Sequence, residues 1–241
     1  MTLFLTSSHC IPDADRAILN PANGLVDKLR ENLPDHPHCL FVCSNPDSAE
    51  KTDWIAHETA DIFAEAGMPF SGLDVLDGRT ADKAAELVAK SQFIVLCGGH
   101  VPTQNAFFQK IGLRRLLWDY QGAVMGISAG TMNAADVVYA QPELPGESID
   151  LHYERFLPGL GLTEVMLLPH YQKERHTLLD GKRLYEDITY ADSMGHTFYA
   201  MPDGSWLFQK DGKAEIRGGA YCIRNGQIQC IAHAGDVTYV R

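Results

Sequence analysis

The sequence of 241 residues has no long apolar run and no cluster of basic residues. No run approaches the ~20 apolar residues that a membrane span needs. The first residues, MTLFLTSSHCIPDAD, have no basic lead and only five residues before a polar turn, so neither a signal peptide nor a membrane anchor is expected. The formal charge of −11 argues against a nucleic-acid or anionic-membrane surface, because such surfaces would repel it. These absences predict a cytoplasmic protein that binds neither membranes nor nucleic acids.

Paired cysteines are also lacking, which argues against a disulfide framework and against structural zinc. The sequence contains no C-x-x-C pair, and four of the six cysteines sit in strand-like apolar runs; the six are Cys10, Cys39, Cys43, Cys97, Cys222 and Cys230. We therefore expect buried, reduced thiols. The stretch HPHC at 36–39 could bind a metal, but it has no second ligand pair. We expect no metal and no organic cofactor.

The first 130 residues do have a regular βα rhythm. Apolar runs typical of buried strands alternate with segments whose apolar positions recur at helical spacing. Strands are predicted at 2–7, 39–44, 72–77, 93–99 and 123–128, and helices at 23–32, 53–67, 80–91 and 105–121, the last broken near Gly112. Near-continuous apolar strands are typical of a parallel sheet that is buried on both faces. The pattern therefore predicts an α/β fold whose mostly parallel sheet has helices on both faces.

The pattern changes after residue 140. The sequence predicts a loop at 141–148, a strand at 164–171 and mostly helix at 173–193. From 195 onward short strands dominate, and Asp-Gly or Asn-Gly pairs predict hairpin turns at 203–204, 211–212 and 225–226. No linker, repeat or low-complexity segment interrupts the chain, so a single domain over 1–241 is predicted. Uncovered strand edges would allow pairing between subunits of a homo-oligomer.

Ser128 stands between a predicted strand and a predicted helix, in the sequence GISAG at 126–130. A G-x-S-x-G turn can hold a serine hydroxyl at the top of a sheet, where small neighbours let a substrate approach. A tight strand-to-helix turn without any catalytic role also favours glycine and serine, for conformational freedom and for helix capping. The motif alone leaves both interpretations open.

A nucleophilic serine needs a base, a group that orients the base, and donors for the oxyanion. The helix that begins after Ser128 offers the Ala129 backbone N–H, and the helix dipole favours negative charge there. The glycines of CGGH at 97–100 close another buried strand, where the backbone can approach a ligand. We expect the second donor to come from this turn, although a tight βα turn would look the same.

His170 is the histidine best placed to be the base. It follows the apolar run VMLLP and therefore lies at the carboxyl end of a predicted strand, where open α/β sheets build their sites. Asp203, in the AMPDGSW turn, would be the acid in the order Ser128, His170, Asp203. The competing order, Ser128, Asp203, His233, is that of the α/β-hydrolases. The β-hairpin pattern after 195 argues against the second order.

The combination of CGGH at 97–100, GISAG at 126–130, LLPHY at 167–171 and AMPDGSW at 200–206 resembles the S51 peptidases. This family includes aspartyl dipeptidase (dipeptidase E) and, more distantly, cyanophycinase. The resemblance covers nearly the whole chain. It implies a three-layer fold like that of the class I glutamine amidotransferases, which is flavodoxin-like, with serine in place of their cysteine. It further implies Ser128 as nucleophile, His170 as general base and then acid, and Gly99 with Ala129 as oxyanion donors.

Two departures from the family pattern concern the acid and the pocket wall. The family usually has Glu in LPEG where this sequence has Asp203 in MPDG, one methylene shorter. Asp orients histidine in other triads, but Glu143 or Asp150 remains an alternative. The family's GGGNT is CGGHVPTQN here, so His100 and a longer loop at 100–104 would reshape the pocket and could close over substrate.

A third departure concerns substrate recognition. Aspartyl dipeptidases resemble one another in an arginine-bearing segment after the histidine that clamps the substrate carboxylate. Here the segment reads QKERHTLLDGKRLYED, in which Arg183 is the nearest match and Arg175 and Lys173 are alternatives. Each of these side chains could equally be a solvated surface charge. An arginine that faces the pocket would select an acidic N-terminal residue through a bidentate pair.

The sequence thus predicts a serine peptidase that hydrolyses dipeptides or short peptides, with a possible preference for N-terminal Asp. Ser128, His170 and Asp203 would form the triad, and an acyl-enzyme would be the intermediate. Two alternatives stay open: an esterase of the α/β-hydrolase type that uses Ser128, Asp203 and His233, and a non-catalytic binding protein on the same scaffold.

Overall fold

The computed structural model describes residues 1–13 and 16–240. The strands, in chain order, are β1 (Thr2–Thr6), β2 (Cys10–Asp13), β3 (Arg16–Leu19), β4 (His38–Val42), β5 (Gly72–Leu76), β6 (Phe93–Leu96), β7 (Ala123–Ile127), β8 (Val137–Tyr139), β9 (Phe156–Pro158), β10 (Met166–Leu168), β11 (Leu178–Leu179), β12 (Lys182–Arg183), β13 (Thr197–Ala200), β14 (Trp206–Lys210), β15 (Lys213–Arg217), β16 (Ala220–Arg224), β17 (Gln227–Ala232) and β18 (Val237–Val240).

The helices range in length from three to 17 residues. They are α1 (Leu25–Asn32), α2 (Ala49–Glu65), α3 (Ala84–Lys90), α4 (Val101–Lys110), α5 (Leu113–Leu116), α6 (Ala129–Asn133), α7 (Tyr171–Glu174) and α8 (Tyr190–Asp192). Single 3₁₀ turns precede α1 and α3, at Ala22–Gly24 and Ala81–Lys83, and a π-helical segment spans Leu184–Thr189. In the part of the chain that the structure describes, no helix combines the length and the apolar character needed to cross a membrane.

The central sheet has eight strands in the order β18-β15-β14-β1-β7-β6-β4-β5. The five neighbouring strands β1, β7, β6, β4 and β5 run parallel to one another. Beyond β1, the strands β14, β15 and β18 extend the sheet in antiparallel fashion. Short βα units alternate along the parallel part, which places the carboxyl ends of its strands at one edge. The structure confirms the predicted mostly parallel sheet with C-terminal antiparallel strands.

Each face of this sheet has its own apolar core, because successive residues of a strand point to opposite sides. Leu3 and Leu5 of β1 pack with side chains of α3, α4 and α5. Phe4, between them, packs on the other face with side chains of α1 and α2. Helices therefore cover both faces, as predicted, and the strands are read correctly as buried on both sides.

A second sheet, in the order β10-β13-β16-β17, lies in the C-terminal half. The chain passes between the two sheets several times, since β14, β15 and β18 belong to the large sheet whereas β13, β16 and β17 belong to the small one. The predicted hairpin at 203–204 is wrong for this reason: it joins β13 to β14, which belong to different sheets. The Asp-Gly and Asn-Gly turns at 211–212 and 225–226 do join paired strands.

Two further predictions are corrected by the structure. The segment 173–193 is helical only at its two ends, because Asp180 and Gly181 both adopt positive φ, 51° and 80°, and form the turn of the small hairpin β11–β12 in its middle. This Asp-Gly pair is itself a hairpin signal that helical periodicity obscured. The stretch 100–104 is not a loop, because α4 begins at Val101 with Pro102 in its first turn, where proline is tolerated.

His9 is a buried histidine in the connection from β1 to β2. It is 9% exposed, and its Nε2 has no hydrogen-bond partner among the described residues. Burial disfavours the charged imidazolium and lowers the pKa of His9 from 6.5 to about 4. The folded protein therefore holds His9 neutral at pH values where the unfolded chain protonates it.

We predict that His9 makes the protein less stable in weak acid. Between pH 6.5 and about 4 the unfolded state binds one more proton than the folded state at this residue, so the free energy of unfolding decreases as the pH falls. The slope from this group is at most about 1.4 kcal/mol per pH unit. Urea unfolding of the wild type and of His9→Gln from pH 7 to 4 measures the difference, with exposed His152→Gln as the control. Parallel pH profiles for His9→Gln and the wild type would contradict the prediction.

Candidate active site

Ser128 occupies a strained turn at the carboxyl end of β7. Its φ of 51° and ψ of −111° lie outside the regions that a side chain other than glycine favours, and α6 begins at the next residue. Gly130 allows this geometry, because a Cβ there would lie only 2.2 Å from the carbonyl oxygen of Leu96. The sharp turn lifts the Ser128 hydroxyl above the sheet edge, in the arrangement of a nucleophile elbow.

His170 lies at the end of β10 in the small sheet and contacts both of its expected partners. Its Nε2 is 2.9 Å from Ser128 Oγ, and its Nδ1 is 2.6 Å from Asp203 Oδ1. With Nδ1 donating to the carboxylate, Nε2 is left free to accept the hydroxyl proton of Ser128. His170 has a positive φ of 59° and directly precedes α7, so the chain turns sharply at this residue and directs the imidazole toward β7.

Asp203 is held by several donors at once. Its Oδ1 contacts His170, while its Oδ2 accepts hydrogen bonds from Gln172 Nε2 at 2.6 Å and Lys173 Nζ at 2.7 Å. Burial alone would raise the pKa of Asp203, but the hydrogen bonds and positive charges of His170 and Lys173 outweigh it and hold that pKa well below its usual range. Asp203 therefore stays ionised beside the imidazole. Lys173, considered in the sequence as a substrate clamp, instead pairs with this carboxylate.

Ser7 is a site residue that the sequence analysis did not single out. It follows β1, which is the neighbour of β7 in the sheet. The backbone N–H of His170 donates to Ser7 Oγ at 2.6 Å, and Ser7 Oγ lies 3.1 Å from Asp203 Oδ1. Its position at the carboxyl end of a central parallel strand, in TLFLTSS, was the available signal. Ser7 fixes the histidine backbone and the acid to the large sheet.

A cavity of about 210 Å³ opens beside Ser128 and His170. Gly99 and Ala129, the two predicted oxyanion donors, both contribute to its wall. The backbone at Gly99 passes so close to Ser44 that a Cβ would lie 2.5 Å from the Ser44 Cβ, so glycine is needed there. The structure thus brings together the elbow and the CGG strand end around the space where a scissile carbonyl would sit.

His100 lies behind this wall, not in it. Its imidazole is 2.7 Å from Thr103 Oγ1 and 2.8 Å from Glu147 Oε1. Glu143, in the same loop as Glu147, accepts a hydrogen bond from the Val101 N–H at the start of α4 and reaches the cavity. His100 therefore tethers the 141–148 loop to α4, and this loop lines the cavity together with Val101 of the expected stretch 100–104.

The arginines expected to recognise a substrate carboxylate point elsewhere. Arg183 forms a bidentate pair with Asp187, four residues on, and its side chain is 59% exposed. Arg175 donates to His176 and lies over the Tyr171 ring. Neither arginine lines the cavity. Both arginines therefore have partners outside the cavity, and neither is placed to bind a substrate carboxylate there.

The alternative acids and the alternative base have other partners. His233 lies between β17 and β18, where its N–H donates to Asp236, whereas His170 bridges Ser128 and Asp203. Asp150 accepts from the His152 N–H within its own turn, and Glu143 caps α4. Over residues 1–13 and 16–240, no three His, Cys, Asp or Glu side chains are placed to hold a metal ion. The cysteines are free thiols, with Cys39, Cys43 and Cys97 buried, Cys10 and Cys222 partly buried, and Cys230 exposed.

The fold and the geometry together define an α/β protein with a serine–histidine–aspartate arrangement at the carboxyl edge of a mostly parallel sheet. The sequence model of peptidase family S51 matches residues 3–217. The chain therefore belongs to peptidase family S51, and it is a peptidase and so a hydrolase. This confirms the resemblance from which the sequence analysis drew its expectations.

Solved structures of similar fold carry related descriptions. The crystal structure of a peptidase from an acI-B1 Actinobacterium matches with a TM-score of 0.65 and 20% identity, over 99% of this chain and 96% of that chain. The "Putative Peptidase E Protein" of Listeria monocytogenes EGD-e matches with a TM-score of 0.62 and 17% identity, over 89% of this chain and 96% of that chain. At these identities the likeness establishes the fold. No curated protein sequence matches the chain.

We predict that ionised Asp203 stabilises the folded protein and that this contribution is lost in acid. Because its folded-state pKa lies below the ordinary value of 3.8, the stabilisation is complete above about pH 4 and disappears as the pH falls through the folded-state pKa. The free energy of unfolding of the wild type should exceed that of Asp203→Asn at pH 7, and the gap should narrow below pH 4. Urea titrations at pH 7, 5, 4 and 3 measure it. A gap that stays constant down to pH 3 is the contrary result.

Proposed function

We propose that this chain is a serine peptidase that hydrolyses dipeptides or short peptides through Ser128, His170 and Asp203. The observation that carries the proposal is the position of the His170 imidazole, 2.9 Å from the Ser128 hydroxyl and 2.6 Å from the Asp203 carboxylate. These distances lie within hydrogen-bond reach for a nucleophile, its base and the group that orients the base. The strained backbone at Ser128 supports the same assignment.

In the proposed reaction, His170 Nε2 accepts the proton of Ser128 while Oγ attacks the scissile carbonyl carbon. The N–H groups of Gly99 and Ala129 stabilise the oxyanion, a type of contact whose loss typically slows a reaction roughly 100-fold or more. His170 then protonates the leaving amine, and the C–N bond breaks. Water, deprotonated by His170, attacks the acyl carbon, the bond from that carbon to Ser128 Oγ breaks, and His170 returns the proton to Oγ as the acid is released. Asp203 holds the tautomer and stabilises the imidazolium throughout.

Two features of the site favour small substrates. The cavity of about 210 Å³ is below the ~300–1,000 Å³ of pockets for drug-sized ligands, so it suits a single residue. The 141–148 loop, tethered by Glu143 and His100, limits the room beside Ser128. A preference for N-terminal Asp has less support, since Arg183 and Arg175 contact other groups.

We predict that a fluorophosphonate probe labels the wild type and does not label Ser128→Ala. His170→Gln should lose labelling and should lose dipeptide hydrolysis by on the order of 10⁶-fold, because the serine loses its base. His233→Gln is the matched control and should retain both. The measurements are probe incorporation by mass spectrometry and amine release from a panel of Ala-X, Lys-X, Glu-X and Asp-X dipeptides.

Other outcomes identify the alternatives. Activity that survives His170→Gln but not His233→Gln would favour the esterase arrangement. A folded wild type that neither incorporates the probe nor cleaves any substrate would favour a binding protein without turnover.

A further inference from the structure

The cavity beside Ser128 contains two carboxylates and no cationic side chain. Glu143 reaches it from the loop after β8, and Glu174 reaches it from α7, one turn after His170. Neither lysine nor arginine occurs in the wall of this cavity as the structure describes it. The opening onto the nucleophile is therefore electronegative, the opposite of what an acidic substrate residue would need.

Neither carboxylate forms an ion pair with a lysine or an arginine within the described part of the chain. Glu174 accepts from Thr177 Oγ1 at 3.0 Å, and Glu143 accepts from the Val101 N–H at 3.2 Å. The imidazole Nε2 of His100 is 3.9 Å from Glu143 Oε1 and 2.8 Å from Glu147 Oε1, so its hydrogen bond is with Glu147. Burial first, and then the charges of Glu147 and Glu174, raise the pKa of Glu143. A cation between Glu143 and Glu174 would relieve this repulsion.

A buried tyrosine lies next to the same wall. The Tyr185 side chain is 1% exposed, and its hydroxyl is without a hydrogen-bond partner in the described residues. Burial raises its pKa, so the hydroxyl stays neutral, and Gln141 and Glu174 are among the groups close enough to influence it. Buried hydroxyls are normally paired. Gln141 interacts with this hydroxyl and itself lines the cavity, so Tyr185 lies behind the wall that a polar ligand would contact.

The positive side chains after His170 leave the cavity free for such a ligand. Lys173 pairs with Asp203, Arg183 with Asp187, and Arg175 donates to His176. A substrate cation would therefore meet no like charge in the cavity wall.

We propose that Glu143 and Glu174 determine specificity by binding a positively charged group, an ammonium or a guanidinium, of the substrate residue whose carbonyl Ser128 attacks. The inference rests on the proposed function for the position of that carbonyl. Two sources supply the same chemistry: the free α-ammonium of an N-terminal residue, and the side chain of Lys or Arg. A bound side-chain cation gives a preference for Lys or Arg over Asp, whereas a bound α-ammonium gives a preference for a free N-terminus over a blocked one.

Binding to Ser128→Ala tests the proposal without turnover. Isothermal titration calorimetry would compare Lys-Ala with Asp-Ala, and where the side chain is the bound cation we expect Lys-Ala to bind at least about 10-fold more tightly. Ala-Ala against acetyl-Ala-Ala isolates the α-ammonium, and acetyl-Lys-Ala against acetyl-norleucyl-Ala isolates the side chain. Weaker binding of acetyl-Ala-Ala than of Ala-Ala assigns the cavity to the α-ammonium. Weaker binding of acetyl-norleucyl-Ala than of acetyl-Lys-Ala assigns it to the side chain.

Charge-only variants in the same background identify the residues. Glu143→Gln and Glu174→Gln keep the acceptors for Val101 and Thr177, and each should weaken Lys-Ala binding about 10-fold. Exposed Glu86→Gln on α3 removes the same charge elsewhere and should change nothing. Thermal unfolding confirms that each variant folds.

The two proposals fail in different ways. Equal binding within both matched pairs, tighter binding of Asp-Ala than of Lys-Ala, or Gln variants that bind Lys-Ala as the parent does would overturn the cation site. Probe labelling of wild-type Ser128 alongside any of these results leaves the serine mechanism in place. Absence of labelling with a clear preference for Lys-Ala overturns the mechanism and keeps the cation site.

Discussion

The contact that the rest of this site depends on is the imidazole of His170 between Ser128 and Asp203. Its three members come from different parts of the fold: Ser128 from the end of β7 in the large sheet, His170 from the end of β10 in the small sheet, and Asp203 from the connection between the sheets. Hydrogen bonds of 2.6 and 2.9 Å tolerate little displacement, so the site exists only when the two sheets are docked. Ser7 strengthens this link, because its hydroxyl accepts from the His170 backbone and lies beside Asp203.

The electrostatics follow from the same arrangement. On one side of His170, Lys173 and Gln172 hold Asp203 ionised and fixed. On the other side, Glu143 and Glu174 border the cavity, and neither forms an ion pair with a lysine or an arginine in the described residues. The positive charge of Lys173 thus pairs with Asp203, and the cavity wall holds two carboxylates and neither lysine nor arginine as the structure describes it. This separation is the basis of the proposal that the cavity binds a substrate cation.

Much of the fold was readable from the sequence because buried parallel strands leave a strong signal. The runs that became β1, β4, β6 and β7 are almost wholly apolar, and their ends, TSS, CGG and GIS, mark the edge where the site forms. Two incorrect predictions have different causes. In 173–193, helical periodicity competed with one Asp-Gly pair, and positive φ at Asp180 and Gly181 turned the chain into a hairpin. At 203–204 the turn residues were read correctly, but which sheet the next strand joins is a tertiary choice that local sequence does not carry.

The site itself divides in the same way. Ser128 and His170 were identifiable because each follows a buried strand directly, so strand position fixes where the side chain lies. Arg183, Arg175 and Glu174 lie instead within 171–193, where α7, the β11–β12 hairpin and a π-helical segment follow one another within a few residues. A shift of one residue in such a segment changes which side chain faces the cavity, and no local pattern sets that register. The proposed catalytic residues are therefore more predictable here than the proposed specificity residues, because the first follow strands of the sheets and the second lie on the irregular segment packed against them.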